Sequence, residues 1–205
     1  MIAPARVSSA VRGLLAALSL AAALPVIAAA AEPGKASGAG EGDMDVHVTR
    51  ADKTVIVHVS FLVDVTPDLA WSVLVDYGNM TKFISNLESS AILSRNGDTL
   101  EVAQKGKVSQ GLLQIGFDNV REVVLTPKRE IRSRLIRGDM QSSNFITRVV
   151  AEGERTRVSN DGEFVPNAWL PPGLGTTLAE SQTRKQWQEM RAEMLRRAQA
   201  ASAAK

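Results

Sequence analysis

The 205-residue chain contains no cysteine. Disulfides, thiolate metal sites, a cysteine nucleophile and a lipidated cysteine are thereby excluded. Histidine is almost as scarce, with only His47 and His58. There is no H-E-x-x-H segment, no run of histidines and carboxylates at metal-ligand spacing, no G-x-S-x-G elbow and no phosphate loop. The sequence therefore predicts no metal and no cofactor. A surplus of one charge is missing as well. Lysine and arginine number 24 against 22 acidic residues, and removing Arg6 and Arg12 with a leader leaves 22 of each. A neutral domain gives no electrostatic case for nucleic acid. Internal repeats are also lacking.

What is present begins with a leader. Arg6 and Arg12 precede an apolar run from Gly13 to Ala31 that ends in small residues, Ala28-Ala29-Ala30 fitting the A-x-A cleavage rule. The segment reads as a signal peptide over residues 1–30, which predicts a periplasmic protein. The alternative is an uncleaved N-terminal membrane anchor, since the run approaches the roughly 18–20 residues that span a bilayer. Residues 31–43 (AEPGKASGAGEGD) form a flexible linker without an apolar anchor. The ordered domain is expected over 44–198, long enough for one core without disulfides, and residues 199–205 read as a frayed tail.

Within the domain, DVHVT and TVIVHVSFLVDV alternate with period two around Arg50-Ala51-Asp52-Lys53 and predict a hairpin with Thr49 opposite Thr54. Val46, Val48, Val55, Val57, Val59, Phe61 and Val63 then share the buried face, and both histidines fall on the outer one. Thr66-Pro67-Asp68 marks a helix start. That helix is expected to stop at Asp76-Tyr77-Gly78-Asn79, with Gly78 left-handed and Asn79 capping a second short helix that carries Met80, Phe83 and Ile84. Six strand-like segments from Ser89 to Val165 predict an antiparallel meander. After a Pro166–Gly175 loop, Thr177-Leu178-Ala179-Glu180 reads as a capping box. It opens a long helix whose apolar stripe is Ala179, Thr183, Trp187, Met190 and Met194.

This order of elements is that of the helix-grip fold, an α+β arrangement in which a curved antiparallel sheet wraps a long C-terminal helix. The segment W-x-V-L-x-D-Y-x-N-x-x-x-F-I from Trp71 to Ile84, and FVPNAWLPPGLGTTLAESQTRKQWQEMRAEM near the end, resemble the START-like (SRPBCC) superfamily. Within it the chain is most similar to the polyketide cyclase/dehydrase and coenzyme Q-binding family, over about Val55 to Arg197. The resemblance implies an interior cavity for a hydrophobic or amphipathic small molecule such as a quinone, isoprenoid or lipid. The candidate lining residues are Tyr77, Met80, Phe83 and Ile84 from the second helix and Phe117, Leu135, Phe145 and Phe164 from the strands. Trp169 and Leu170 come from the loop, and Trp187, Met190 and Met194 from the long helix. Methionine suits a cavity of variable content, but the same Met and Trp residues equally suit a packed core.

Candidates for chemistry are few. His47 and His58, on an outer strand face, do not converge on a pocket as a general base must. Asp76 at the helix junction is either an acid at the cavity end or a structural carboxylate bonding to Lys82 or to the Asn79–Thr81 turn, and its spacing favours the structural role. Under an enzymatic reading, inward polar residues such as Asn119, Ser133 or Asn160 would act. Lys128, Arg129, Arg132, Arg134 and Arg137 crowd one hairpin, either as charges guarding a strand edge or as a transient contact with an anionic membrane surface. The reading that follows is a carrier or chaperone of a small amphiphile, with the Trp169 loop and the Tyr77–Ile84 segment controlling entry; the alternatives are a cyclase or dehydratase using the same cavity, or a protein-interaction module.

Overall fold

The β1–β2 hairpin (Met44–Ala51 and Thr54–Val63) sets one edge of the sheet. Its turn is tighter than the sequence suggests: Ala51 faces Thr54 and Thr49 faces Ile56, because Asp52 adopts φ 53° and closes a two-residue turn. The correction is a shift of two residues, so the faces are unchanged. Val55, Val57, Val59, Phe61 and Val63 are all buried. The computed structural model describes residues 44–110, 113–167 and 174–204. The expected leader and linker (1–43) lie outside these residues, as do Trp169 and Leu170. No helix among the described residues is long and apolar enough to cross a membrane.

Helix α1 (Pro67–Leu74) starts as its sequence dictates, with the Thr66 hydroxyl accepting from Leu69 N–H and Pro67 in the first turn. It ends two residues earlier than expected, and a 3-10 helix runs from Tyr77 to Lys82. Gly78 lies inside that helix, outside the left-handed region and with open space around it. It is therefore not the stop signal. Asn79 does not cap the second helix either; its amide reaches back to Asp76 Oδ1 at 2.8 Å.

Strands β3 (Leu87–Asn96), β4 (Thr99–Gln110), β5 (Leu113–Thr126), β6 (Glu130–Gly138), β7 (Met140–Glu152) and β8 (Arg155–Pro166) complete an eight-stranded sheet. Its order is β1-β2-β8-β7-β6-β5-β4-β3, with every neighbouring pair antiparallel. Helix α2 (Leu174–Ala203) crosses the concave face against β1, β2 and α1. It begins before Thr177, so the expected capping box lies within the helix, and it continues through residues 199–203. The fold is the α+β helix grip.

The core is concentrated at one end. Val59, Phe61, Val63, Val73, Ile84, Val102, Val123, Val158 and Met194 are almost wholly excluded from solvent. Trp187 packs on Phe61 with ring centroids 5.9 Å apart. The C-terminal half of α2 therefore closes on side chains from α1, the 3-10 helix and β2.

Candidate functional site

The N-terminal half of α2 covers something different. Between it and the concave sheet lies a cavity of about 370 Å³, within the range of small-molecule sites. Val55, Val57, Leu87, Phe117, Phe145, Phe164, Leu178 and Trp187 supply apolar walls. Val55 and Val57 of β2 alternate along their strand, as a pleated sheet requires. On β5 the inward set is Phe117, Asn119, Arg121, Val123 and Leu125; the last two enter the core and the first three line the cavity. Where β5 meets β6 the register shifts between Val120 and Arg121, with Arg121 opposite Leu135. Bulges of this kind re-aim side chains.

Arg121 crosses towards β7, and its guanidinium carbon stands 5.9 Å from the centroid of the Phe145 ring. Room for that ring exists because its strand partner is Gly162, where any Cβ would overlap the Phe145 ring and the Asn144 carbonyl. Burial pulls the Arg121 pKa below the ordinary arginine value, with the Tyr77 phenolate form opposing the shift. Burial likewise pushes the Tyr77 hydroxyl up to about 12, so it stays neutral at physiological pH.

Three asparagines share the wall, and Asn86 Oδ1 is buried there without a hydrogen-bond partner among the described residues. Asn119 Oδ1 accepts from the Asp139 N–H at 3.1 Å, and Asn160 Oδ1 accepts from the Thr147 hydroxyl at 2.9 Å. Gln104, opposite Asn119 on β4, donates to Met80 Sδ at 3.4 Å and Ser90 Oγ at 3.3 Å. Asp139 is exposed and accepts from the Asp118 N–H at 2.8 Å. Among the described residues no group of three or more His, Cys, Asp or Glu side chains is placed to hold a metal ion.

Of the residues proposed from sequence, Phe117, Phe145, Phe164 and Trp187 meet on the cavity wall. Tyr77, Met80, Ile84, Met190 and Met194 are placed in the closed core and not on the wall. Leu135 faces inward beside Arg121 but is also off the wall. Phe83 lies in a separate polar depression with Asp76, Lys82 and Glu193, under the Arg197 guanidinium at 5.7 Å. Trp169 and Leu170 fall outside the described residues. Asn119 and Asn160 line the cavity, whereas Ser133 does not.

Arg121 was not singled out by sequence reasoning. Its signal was there: an arginine in phase with Phe117, Val123 and Leu125 is a charge on the apolar face of a strand.

Outside the cavity, the histidines occupy the outer face as expected. His47 lies 2.8 Å from Asp45 and His58 2.6 Å from Asp161, with their rings stacked at 6.5 Å. The basic hairpin is largely neutralised in place. Lys128 pairs with Asp68, Arg132 with Glu130, Arg134 with Glu122 and Arg137 with Glu101.

Comparison with solved structures supports this architecture. The Zhui aromatase/cyclase from Streptomyces sp. R1128 superposes with a TM-score of 0.62 at 20% identity, over 72% of this chain and 98% of its own. A START superfamily protein from Mycobacterium smegmatis gives 0.60 at 15% identity, over 69% and 97%. A STAR-related lipid transfer protein from Xanthomonas axonopodis gives 0.57 at 10% identity, over 73% and 98%. At such identities the likeness concerns the fold alone. No curated protein matches the sequence. The family model described as polyketide cyclase / dehydrase and lipid transport matches residues 54–200, and the chain belongs to that family.

Proposed function

We propose that the protein is an exported carrier that holds an amphipathic small molecule in the cavity between α2 and the sheet. The observation that carries this reading is the contrast along α2. Met190 and Met194 seal a core, whereas Leu178, Ala179, Thr183 and Trp187 roof a cavity of about 370 Å³. Burying apolar ligand surface there contributes about 25 cal/mol per Å², which suffices for reversible carriage without any chemical step. Export rests on the leader sequence, with an N-terminal anchor as its alternative. Quinones, isoprenoids and lipids all match the apolar walls. Contact with an anionic membrane during loading is part of the proposal, although the pairing of the basic hairpin leaves few cations for it.

The test is mass spectrometry of organic extracts from protein purified out of its native envelope, together with N-terminal sequencing. The expected results are a co-purifying amphiphile and a mature terminus at Ala31 or Glu32. A clean extract and no binding of any quinone, isoprenoid or lipid offered would overturn the carrier reading; Met1 at the terminus of a soluble cytoplasmic form would overturn export.

A second reading has a specific observation behind it. Arg121, Asn119 and Asn160 give the cavity a polar side, and one structural neighbour is an aromatase/cyclase. A cyclase or dehydratase would use that side to orient a reactive ligand. Conversion of the extracted molecule on re-incubation would favour this enzyme over the carrier.

A further inference from the structure

Arg121 is the feature of the cavity that an apolar cargo does not explain. Arg121 is half-buried, and a guanidinium drawn out of water between apolar walls is costly unless a countercharge or hydrogen-bond acceptors meet it. Among the described residues no carboxylate pairs with Arg121; it stands beside the Phe145 ring and the neutral Tyr77. The outer face shows the opposite practice, with Arg132, Arg134, Arg137 and Arg148 each beside a glutamate. Two of the three cavity asparagines, Asn119 and Asn160, add to the imbalance. Each has its carbonyl oxygen engaged by the protein, which leaves the amide N–H2 as the group on offer. Asp139 is the one carboxylate on the described wall, and it sits exposed with its own N–H donor.

We infer that the cavity takes a single-headed acid, an apolar chain or ring system bearing one carboxylate-type monoanion. Its oxygens accept from Arg121, with the Asn119 and Asn160 amides completing the set. This rests on the cavity being a ligand site and adds the charge of the head to that reading. The planar guanidinium matches two oxygens of one carboxylate. Of the two arginines on the wall, Arg50 donates to the Asp52 carbonyl, so Arg121 is the cation that balances one negative charge. A dianionic phosphate monoester would leave a second charge uncompensated between apolar walls.

The test uses dodecanoate and dodecan-1-ol, titrated calorimetrically at neutral pH into the delipidated full chain. Dodecanoate is expected to bind at least about tenfold more tightly, which corresponds to about 1.4 kcal/mol. Arg121→Gln should erase that preference, dodecanoate losing about tenfold in affinity relative to dodecanol, and Arg121→Lys should retain part of it. Equal affinity of the unmodified protein for both probes, or an undiminished preference in Arg121→Gln, overturns the acid inference and leaves the ligand site standing. Binding of neither probe overturns both. Should Arg121→Gln fail to fold, methyl dodecanoate and dodecyl phosphate decide the matter on the unmodified protein. The carboxylate must then outrank both, and a preference for the ester or the phosphate ends the proposal.

Discussion

Arg197 Nη2 stands 2.7 Å from Asp76 Oδ2, tying the last turns of α2 to the junction between α1 and the 3-10 helix. Burial alone would raise the Asp76 carboxyl, but bonds from Asn79 and Arg197 outweigh it and hold the group below the usual aspartate range. The interruption after α1 is therefore fastened by a side-chain pair 121 positions apart in sequence. No special backbone conformation at Gly78 is involved.

Replacing Arg197 by methionine should destabilise the protein by about 1–3 kcal/mol, since a half-buried carboxylate loses its charged partner. Urea unfolding should show a lower midpoint with an unchanged slope. A loss below about 0.5 kcal/mol would mean that the pair behaves like an ordinary surface ion pair.

The same cluster sets an acid limit. Glu193 accepts from Arg196 and Arg197, and these bonds hold its pKa down to about 2, from 4.5 for a free glutamate. A depressed folded-state pKa stabilises fully above the unfolded value and is lost as protons bind the folded form. Stability should then fall as pH drops from about 4.5 towards 2, with Asp76 contributing in the same direction. Glu193→Gln should be less stable at neutral pH and should lose less on acidification. Parallel stability–pH curves for the variant and its parent would contradict this.

Much of the fold was legible because its signals are local. Strand alternation, the Thr66-Pro67 start and the order of elements are written within a few residues of where they act. The hairpin register slipped by two positions, since Asp52 in a left-handed conformation is as compatible with the text as a longer turn. The helix junction was misread for a related reason: Gly78 carries a stop signal by composition, but the restraint comes from Arg197, which no local window contains. The cavity was half legible. Aromatic residues on inward strand faces met there, but the stripe Ala179-Thr183-Trp187-Met190-Met194 looks uniform in sequence. It divides into roof and core only because α1 and the 3-10 helix pack against its second half.

Gly78 inverts the expectation drawn from sequence, and the backbone constraint falls on Gly162 instead. Gly78→Ala meets nothing and sits in a helical segment, so it should be neutral or stabilise by about 0.4–1 kcal/mol through the unfolded chain. At Gly162 the added methyl would strike the Asn144 carbonyl oxygen and the Phe145 ring. Gly162→Ala should cost about 1–3 kcal/mol as overpacking does, and it should weaken dodecanol binding by displacing a wall residue. Thermal melts of the two variants should move in opposite senses, or at least differ clearly. A destabilised Gly78→Ala would return that glycine to the role of stop signal.

Met194 and Phe164 test where the core ends and the cavity begins. Met194 is fully buried in the core, whereas Phe164 is half-buried on the cavity wall. Met194→Ala leaves a void in a closed core and should cost about 2–5 kcal/mol. Phe164→Ala enlarges a space that already exists, so the ligand-free protein should lose less than the about 3–5 kcal/mol of a packed phenylalanine. Affinity should sort the other way, with dodecanol binding weakened in Phe164→Ala and nearly unchanged in Met194→Ala. Urea unfolding and calorimetric titration on both variants give four values. If stability and affinity fell together in each, wall and core would be one continuous packing unit, and the division of α2 into roof and core would be wrong.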